Sequence, residues 1–302
     1  AFVVGEVIDR LENLNEPWFL HVSILRPHPP FVVPGPYNDL YDPADFDEPI
    51  SPSGSDHPFI DSLSTIDFFK APSESIDKLQ LKATYSGMVT EVDDQIGRLI
   101  GFLDEKELAD ETIVLVTSDH GELLGDHGLV SKFGFHDKAF HIPMIIRYPS
   151  LEGPKGLIVE EFTENVDVMP TLLDLAGLST PTQCEGYSVR GFLEGEKLTE
   201  WRKTVHWEFD FRVFAERIGL PLNECRLIVH RDGRGKLVHF LGMPDIFFDL
   251  EADENEQHPL FEHSLMESFS SELNEWLPEI PESPLVNLLA TAEGMINLKN
   301  PE

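Results

Sequence analysis

The chain has 302 residues, 41% of them hydrophobic, and sets 22 Lys and Arg against 55 Asp and Glu for a formal net charge of −33. That balance excludes nucleic acid as a partner, because phosphate contacts need clustered Lys and Arg, and no apolar run is long enough to cross a bilayer. The carboxylates are scattered, as on a solvated surface, and the length allows one large or two moderate domains around a substantial core. Residues 3–14 have the spacing of an amphipathic helix and lead into a strand at 18–22. From 32 to 75, Pro34, Pro36, Pro43, Pro49, Pro52, Pro58 and Pro72 break any periodicity, which predicts a long irregular excursion of the kind that shapes an active-site rim. Val89, Val92, Ile96, Leu99 and Leu103 then recur at helical spacing and predict one long helix over 74–103, with Met88 in its core face.

The apolar run Ile113-Val114-Leu115-Val116 reads as a buried strand of a parallel sheet, and ligands in open α/β sheets bind just outside the carboxyl ends of such strands. There the chain places Thr117-Ser118-Asp119-His120-Gly121-Glu122, then Gly125-Asp126-His127-Gly128 and Lys132. Asp119 offers hard oxygen and His120 borderline nitrogen, so both can hold one divalent cation; Lys132 can meet an anion held by that ion. Alone, an Asp-His pair is more often a turn with a helix cap. His127 is expected to hold the Gly125–Gly128 turn, and Asp93 and Asp94, adjacent on the long helix and pointing about 100° apart, do not share a face.

Further along, residues 144–147 predict a strand and 168–175 a helix ended by Gly177. Beyond about 199 the pattern becomes strand-rich, with strands over 205–211, 226–230, 237–240 and 246–250 and a hairpin at Asp232-Gly233-Arg234-Gly235. His206, Glu208, Asp210 and Arg212 alternate and so face one side, toward the cleft or toward another subunit. A helix is expected over 261–276, and the apolar stretch 285–289 reads as a helix for packing or homo-oligomer contact. Two domains follow, 1–198 and 199–302. Two cysteines make no disulfide framework; their spacing leaves pairing open.

Ser118-Asp119-His120-Gly121-Glu122, Gly125-Asp126-His127-Gly128, Lys132 and Ile142-Pro143-Met144 together resemble the sulfatase family of the alkaline phosphatase superfamily, and most nearly its phosphonate monoester hydrolases. Arg26-Pro27-His28-Pro29-Pro30-Phe31 resembles the family's substrate-side histidine loop. Matches continue in order through Tyr85–Asp94, Val166–Asp174, His206–Arg212 and Phe247–Glu256. The resemblance implies an α/β fold, an alkaline phosphatase-like mixed sheet between helices with a smaller C-terminal antiparallel sheet and helix. It implies metal ligation by Asp119 and His120, with Ca2+ or Mn2+ as the ion; many members have Asn where His120 stands, and the nitrogen favours Mn2+. It implies charge stabilisation by Lys132 and hydrogen bonding or proton donation by His28, both against a small anionic ester. His141, where Arg is common, and Phe135-His136 depart from the pattern.

The family also carries an Asp pair and a Cys/Ser-x-Pro-x-Arg motif whose first residue becomes formylglycine, and neither occurs here. Cys184 and Cys225 lack that context, and Ala1 is no initiator Met and stands at the start of a helix. The expectation is therefore that an upstream portion holds the nucleophile and the rest of the metal site. Phosphonate hydrolases of this type are cytoplasmic by resemblance, whereas many sulfatases are exported. Three readings follow: a formylglycine-dependent phosphonate or sulfate ester hydrolase, a choline- or arylsulfatase relative, and an inactive metal-binding homologue.

Overall fold

The computed structural model describes residues 1–52, 54–277, 288–291 and 294–297. Helix α1 runs over Phe2–Leu11 and buries Val4. The Pro-rich excursion contains an α-helix that the sequence does not announce by periodicity, α2 over Pro58–Thr65, which buries Phe59 and Leu63. Its signal was present: Pro58 occupies the first turn, where its missing N–H costs nothing, and the His57 side chain accepts from the amide of Phe59.

Helix α3 spans Ser75–Glu105, close to the expected 74–103. Met88 and Leu103 are buried as expected, but Val89 is exposed. The excursion lies directly on this helix: a Cβ on Gly87 would meet the Tyr37 carbonyl oxygen at 2.4 Å, so only glycine fits. Tyr37 donates to Asp94 at 2.7 Å, giving that carboxylate a packing role.

Strand β1, Val114–Thr117, pairs antiparallel with β2, Met144–Arg147, in the register Val114↔Arg147 to Thr117↔Met144. The expected parallel neighbour is absent among the described residues, and β1 is half-buried. A β-branched run specifies an extended segment with covered faces; it does not fix the direction of its neighbour. Residues 18–22 form no ladder among the described residues, and Phe19 is 75% exposed.

Three single-turn or two-turn helices follow, α4 over Asp137–Phe140, α5 over Val168–Leu175 and α6 over Arg190–Leu193. The C-terminal sheet is β3 (Val205–Asp210), β4 (Arg226–Arg231), β5 (Gly235–Phe240) and β6 (Ile246–Asp249), paired antiparallel in that order, with the short helix α7 (Ala215–Ile218) between β3 and β4. Asp232 closes the expected β4–β5 hairpin by accepting from the amides of Arg234 and Gly235. Alternation along β4 sends Leu227 and Val229 to a core shared with Phe59, Phe135 and Phe248, and Ile228 to the other face against Phe269 and Leu273. That second face is covered by α8, Met266–Trp276. The helix starts later than residue 261 because Leu260 and Phe247 exchange backbone hydrogen bonds at 2.8 Å, holding that segment extended.

Strand β7, Leu288–Thr291, pairs antiparallel with β8, Gly294–Asn297, so residues 288–289 are strand where a helix was expected. Residues 285–287 lie outside the described residues. Short apolar runs do not separate the two states by periodicity. Cys184 and Cys225 are both free thiols.

Candidate active site

The loop after β1 is fixed from several directions. Thr117 Oγ1 donates to the Pro143 carbonyl at 2.8 Å, Asn165 Nδ2 to the Ser118 carbonyl at 3.0 Å, and Ser118 Oγ to the His120 carbonyl at 2.7 Å. Gly121 donates to Ala139 at 2.7 Å, and a Cβ there would stand 2.5 Å from the Lys138 carbonyl oxygen. Glycine is therefore required for the loop to lie against α4.

Asp119 and His120 are brought together as expected. The Asp119 carboxylate accepts from the His120 amide at 3.0 Å, and its other oxygen lies 3.7 Å from His120 Nε2. His120 Nδ1 is 2.7 Å from the Gly121 carbonyl; that nitrogen must be the protonated one, so Nε2 presents its lone pair on the side of the carboxylate. Asp119 is 87% exposed at its side chain. One carboxylate oxygen and one imidazole nitrogen this close fit part of the ligand set of a divalent ion.

Lys132 and His28 form a second pair, with Lys132 Nζ 3.4 Å from His28 Nε2 across 104 residues of sequence. His28 Nδ1 lies 2.8 Å from the Pro29 carbonyl and donates to it, which leaves Nε2 for the lysine. The rigid Pro-rich segment is anchored in turn by Arg26, which donates to the Pro30 carbonyl at 3.0 Å.

Sequence reasoning missed two residues that hold this region, and one of them, Glu122, connects the pairs. Glu122 accepts from the amide of Ser131, and Leu123 donates to the Ser131 carbonyl at 3.0 Å. Glu122, two residues after His120, is thereby tied to the residue before Lys132. Ser131 holds φ 77 and Leu124 φ 50, left-handed conformations that non-glycine residues seldom adopt and that concentrate at functional sites. Burial pushes the Glu122 carboxyl up, opposed by backbone N–H donors from Ser131, Leu124 and Leu123. Asn165 was the other omission; it stands beside Asp167, whose buried carboxylate is gripped by Arg202.

His127 does not hold its turn. The turn is closed by backbone bonds and by Asp126, which accepts from the Ile50 amide at 2.8 Å, while neither ring nitrogen of His127 has a hydrogen-bond partner among the described residues. His206, Glu208 and Asp210 are used within the sheet: His206 Nε2 meets His230 Nδ1 at 2.8 Å, Glu208 pairs with Arg226 and Asp210 with Arg212. Phe135 and His136 are core residues, and His141 is exposed. Cys225 is buried, its thiol 3.3 Å from the Pro221 carbonyl.

The sulfatase family profile matches residues 3–178, and that of the C-terminal part of N-sulphoglucosamine sulphohydrolase matches residues 125–283. The multifunctional alkaline phosphatase superfamily protein PehA of Trinickia caryophylli is 41% identical over 262 residues, covering 80% of this chain and 51% of its own. An arylsulfatase of Clostridium perfringens is 35% identical over 260 residues, covering 84% and 52%. The crystal structure of the phosphonate monoester hydrolase of Agrobacterium radiobacter superposes with a TM-score of 0.84 at 34% identity, over 98% of this chain and 64% of that one. This chain spans about half the length of the curated relatives it matches. No helix among the described residues is long and apolar enough to cross a membrane. With a family match over more than half its length, and an alkaline phosphatase-like α/β fold, the chain belongs to the sulfatase family of the alkaline phosphatase superfamily.

Proposed function

We propose that the full-length protein is a metal-dependent hydrolase of phosphonate monoesters, phosphodiesters or sulfate esters, and that this chain supplies Asp119, His120, Lys132 and His28 to its site. The observation that carries the reading is the meeting of Lys132 and His28, 3.4 Å apart, on a segment that Glu122 ties to the Asp119-His120 pair. A bound divalent ion would polarise the ester oxygen and orient the nucleophile. Asp119 and His120 Nε2 would hold that ion, Mn2+ being favoured over Ca2+ by the nitrogen donor.

Lys132 places an ammonium where the transferred group carries negative charge. It also reverses, locally, the field of a chain with net charge −33. Neutral, His28 accepts from Lys132 and steers it; protonated at Nε2, it donates to the leaving oxygen. No Cys or Ser in an x-Pro-x-Arg context occurs in these residues, so the formylglycine is assigned to polypeptide outside them. The preference for phosphonate esters is supported by the TM-score of 0.84, at 34% identity, to a phosphonate monoester hydrolase.

Turnover of an aryl phosphonate monoester and an aryl sulfate by the full-length protein, with and without Mn2+, tests this reading. Metal-dependent hydrolysis with the phosphonate preferred is expected. Metal binding without turnover of either would replace it with the inactive homologue.

A further inference from the structure

A second group of metal-type ligands lies at the seam between the loop region and the C-terminal acidic turn. His127, His136 and Glu256 are all buried, and one ligand atom from each lies within 4.8 Å of the other two. They come from the Gly125–Gly128 turn, the residue before α4, and the turn after β6. None of Asp119, His120, His28 or Lys132 lines the adjoining small cavity of about 30 Å³, whose walls include His127, Asp137 and Glu256.

Several independent features of this cluster point to an ion. His127 is more than nine-tenths buried, at 8% residue exposure, yet neither of its ring nitrogens has a hydrogen-bond partner among the described residues. Buried polar atoms are normally hydrogen-bonded, and an orphan asks for a missing water or ion. His136 Nδ1 and Glu256 Oε2 share a proton at 3.0 Å, the arrangement two ligands adopt when a proton stands where a cation could. His127 and Glu256 both hold φ 56, the left-handed region, so the backbone is strained at two of the three positions that face one point.

We propose that His127, His136 and Glu256 bind a divalent transition ion of the zinc class, separate from the ion at Asp119 and His120. Two imidazoles and one carboxylate suit such an ion better than Ca2+ or Mg2+, which take oxygen. Zinc needs ligands about 2.0–2.2 Å from the metal, so donors up to 4.8 Å apart must draw in. The ring that has to turn is His127, which has no hydrogen bond to lose among the described residues. It stacks on His136 with centroids 3.6 Å apart. On binding, the His136 proton moves to Nε2 and Nδ1 takes the metal. Lys236 stays on Glu256 Oε1 and on Asp137 at 3.1 Å, where its charge is already balanced. The ion would pin the loop that carries Asp119, His120 and Lys132 to the C-terminal acidic turn.

The test uses the full-length protein carrying Asp119→Ala and His120→Ala, stripped with chelator, reloaded with zinc and gel-filtered. About one equivalent of retained zinc, with a raised Tm, is expected. Adding His136→Phe, which keeps the ring packing, or His127→Asn, whose residue type tolerates positive φ, should abolish both. Circular dichroism checks the fold, and if His136→Phe unfolds, His127→Asn carries the comparison. No retained zinc in the Asp119/His120 variant, or zinc undiminished in both added variants, would overturn the proposal.

Discussion

Lys132 Nζ stands 3.4 Å from His28 Nε2, although 104 residues separate them. One sits after a strained serine on the loop that follows β1, and the other sits within a run of prolines, so neither is placed by its own element alone. An ammonium faces an imidazole whose far nitrogen is already committed to the Pro29 carbonyl, the arrangement on which the proposed anion site rests.

Lys132→Ala in the full-length protein should lower kcat by about 10²–10³-fold, the size expected for loss of a charge-stabilising donor, while metal affinity changes little. His28→Ala should cost about 10²-fold, in the range of general acid catalysis. Steady-state kinetics with a metal titration checks both; an unchanged kcat in Lys132→Ala removes it from the site.

Gly121→Ala should destabilise the chain by about 1–3 kcal/mol, the usual range for overpacking, because the new Cβ would lie 2.5 Å from the Lys138 carbonyl oxygen. The neighbouring Asp119-His120 pair would shift with it, so activity should fall by more than the loss of folded protein explains. Urea midpoints alongside kcat separate the two effects.

Lys236 is fully buried and donates to the Phe135 carbonyl at 2.7 Å, to Asp137 and to Glu256. Lys236→Met should cost about 3–5 kcal/mol in metal-free protein, because it leaves the buried Glu256 charge without its counter-ion. A loss below about 1 kcal/mol in a denaturant melt would show that Glu256 does not depend on the lysine.

Acid should weaken the C-terminal sheet early. Burial lowers the pKa of His57, His206 and His230 from the ordinary 6.5, that of His206 to about 3, with His230 and Arg202 adding to the effect on His206. Glu272 faces His230 and opposes part of its shift. These rings take up protons less readily in the folded chain than in the unfolded one, so the unfolded state binds more protons below about pH 6.5. Stability is therefore complete above that pH and is lost as pH falls, with a slope of about 1.4 kcal/mol per pH unit for each such proton. Denaturant midpoints between about pH 7 and pH 5 should decline, and a flat profile would contradict the buried neutral histidines.

Much of this architecture was legible in the residues. The period of Leu99 and Leu103 gave α3, the β-branched and aromatic runs gave the four C-terminal strands, and Asp232-Gly233-Arg234-Gly235 gave their hairpin. The Asp119-His120 loop and Lys132 could be singled out because residue type and spacing there carry chemistry. What could not be read depends on partners far along the chain. The direction of β1 is set by β2, the late start of α8 by the Leu260–Phe247 bridge, and the role of Glu122 by the amide of Ser131. His127 misled because its imidazole looked like a turn-former, whereas the backbone closes the turn and the ring faces His136.

The most direct test of the central claim is hydrolysis of an aryl phosphonate monoester by the full-length protein, measured with His120→Ala beside the wild type in the presence of Mn2+. The expected result is metal-dependent turnover in the wild type and its loss in His120→Ala with an unchanged circular dichroism spectrum, since Asp119 and His120 hold the loop by few side-chain contacts. Full activity in His120→Ala would contradict the assignment of this pair to the metal.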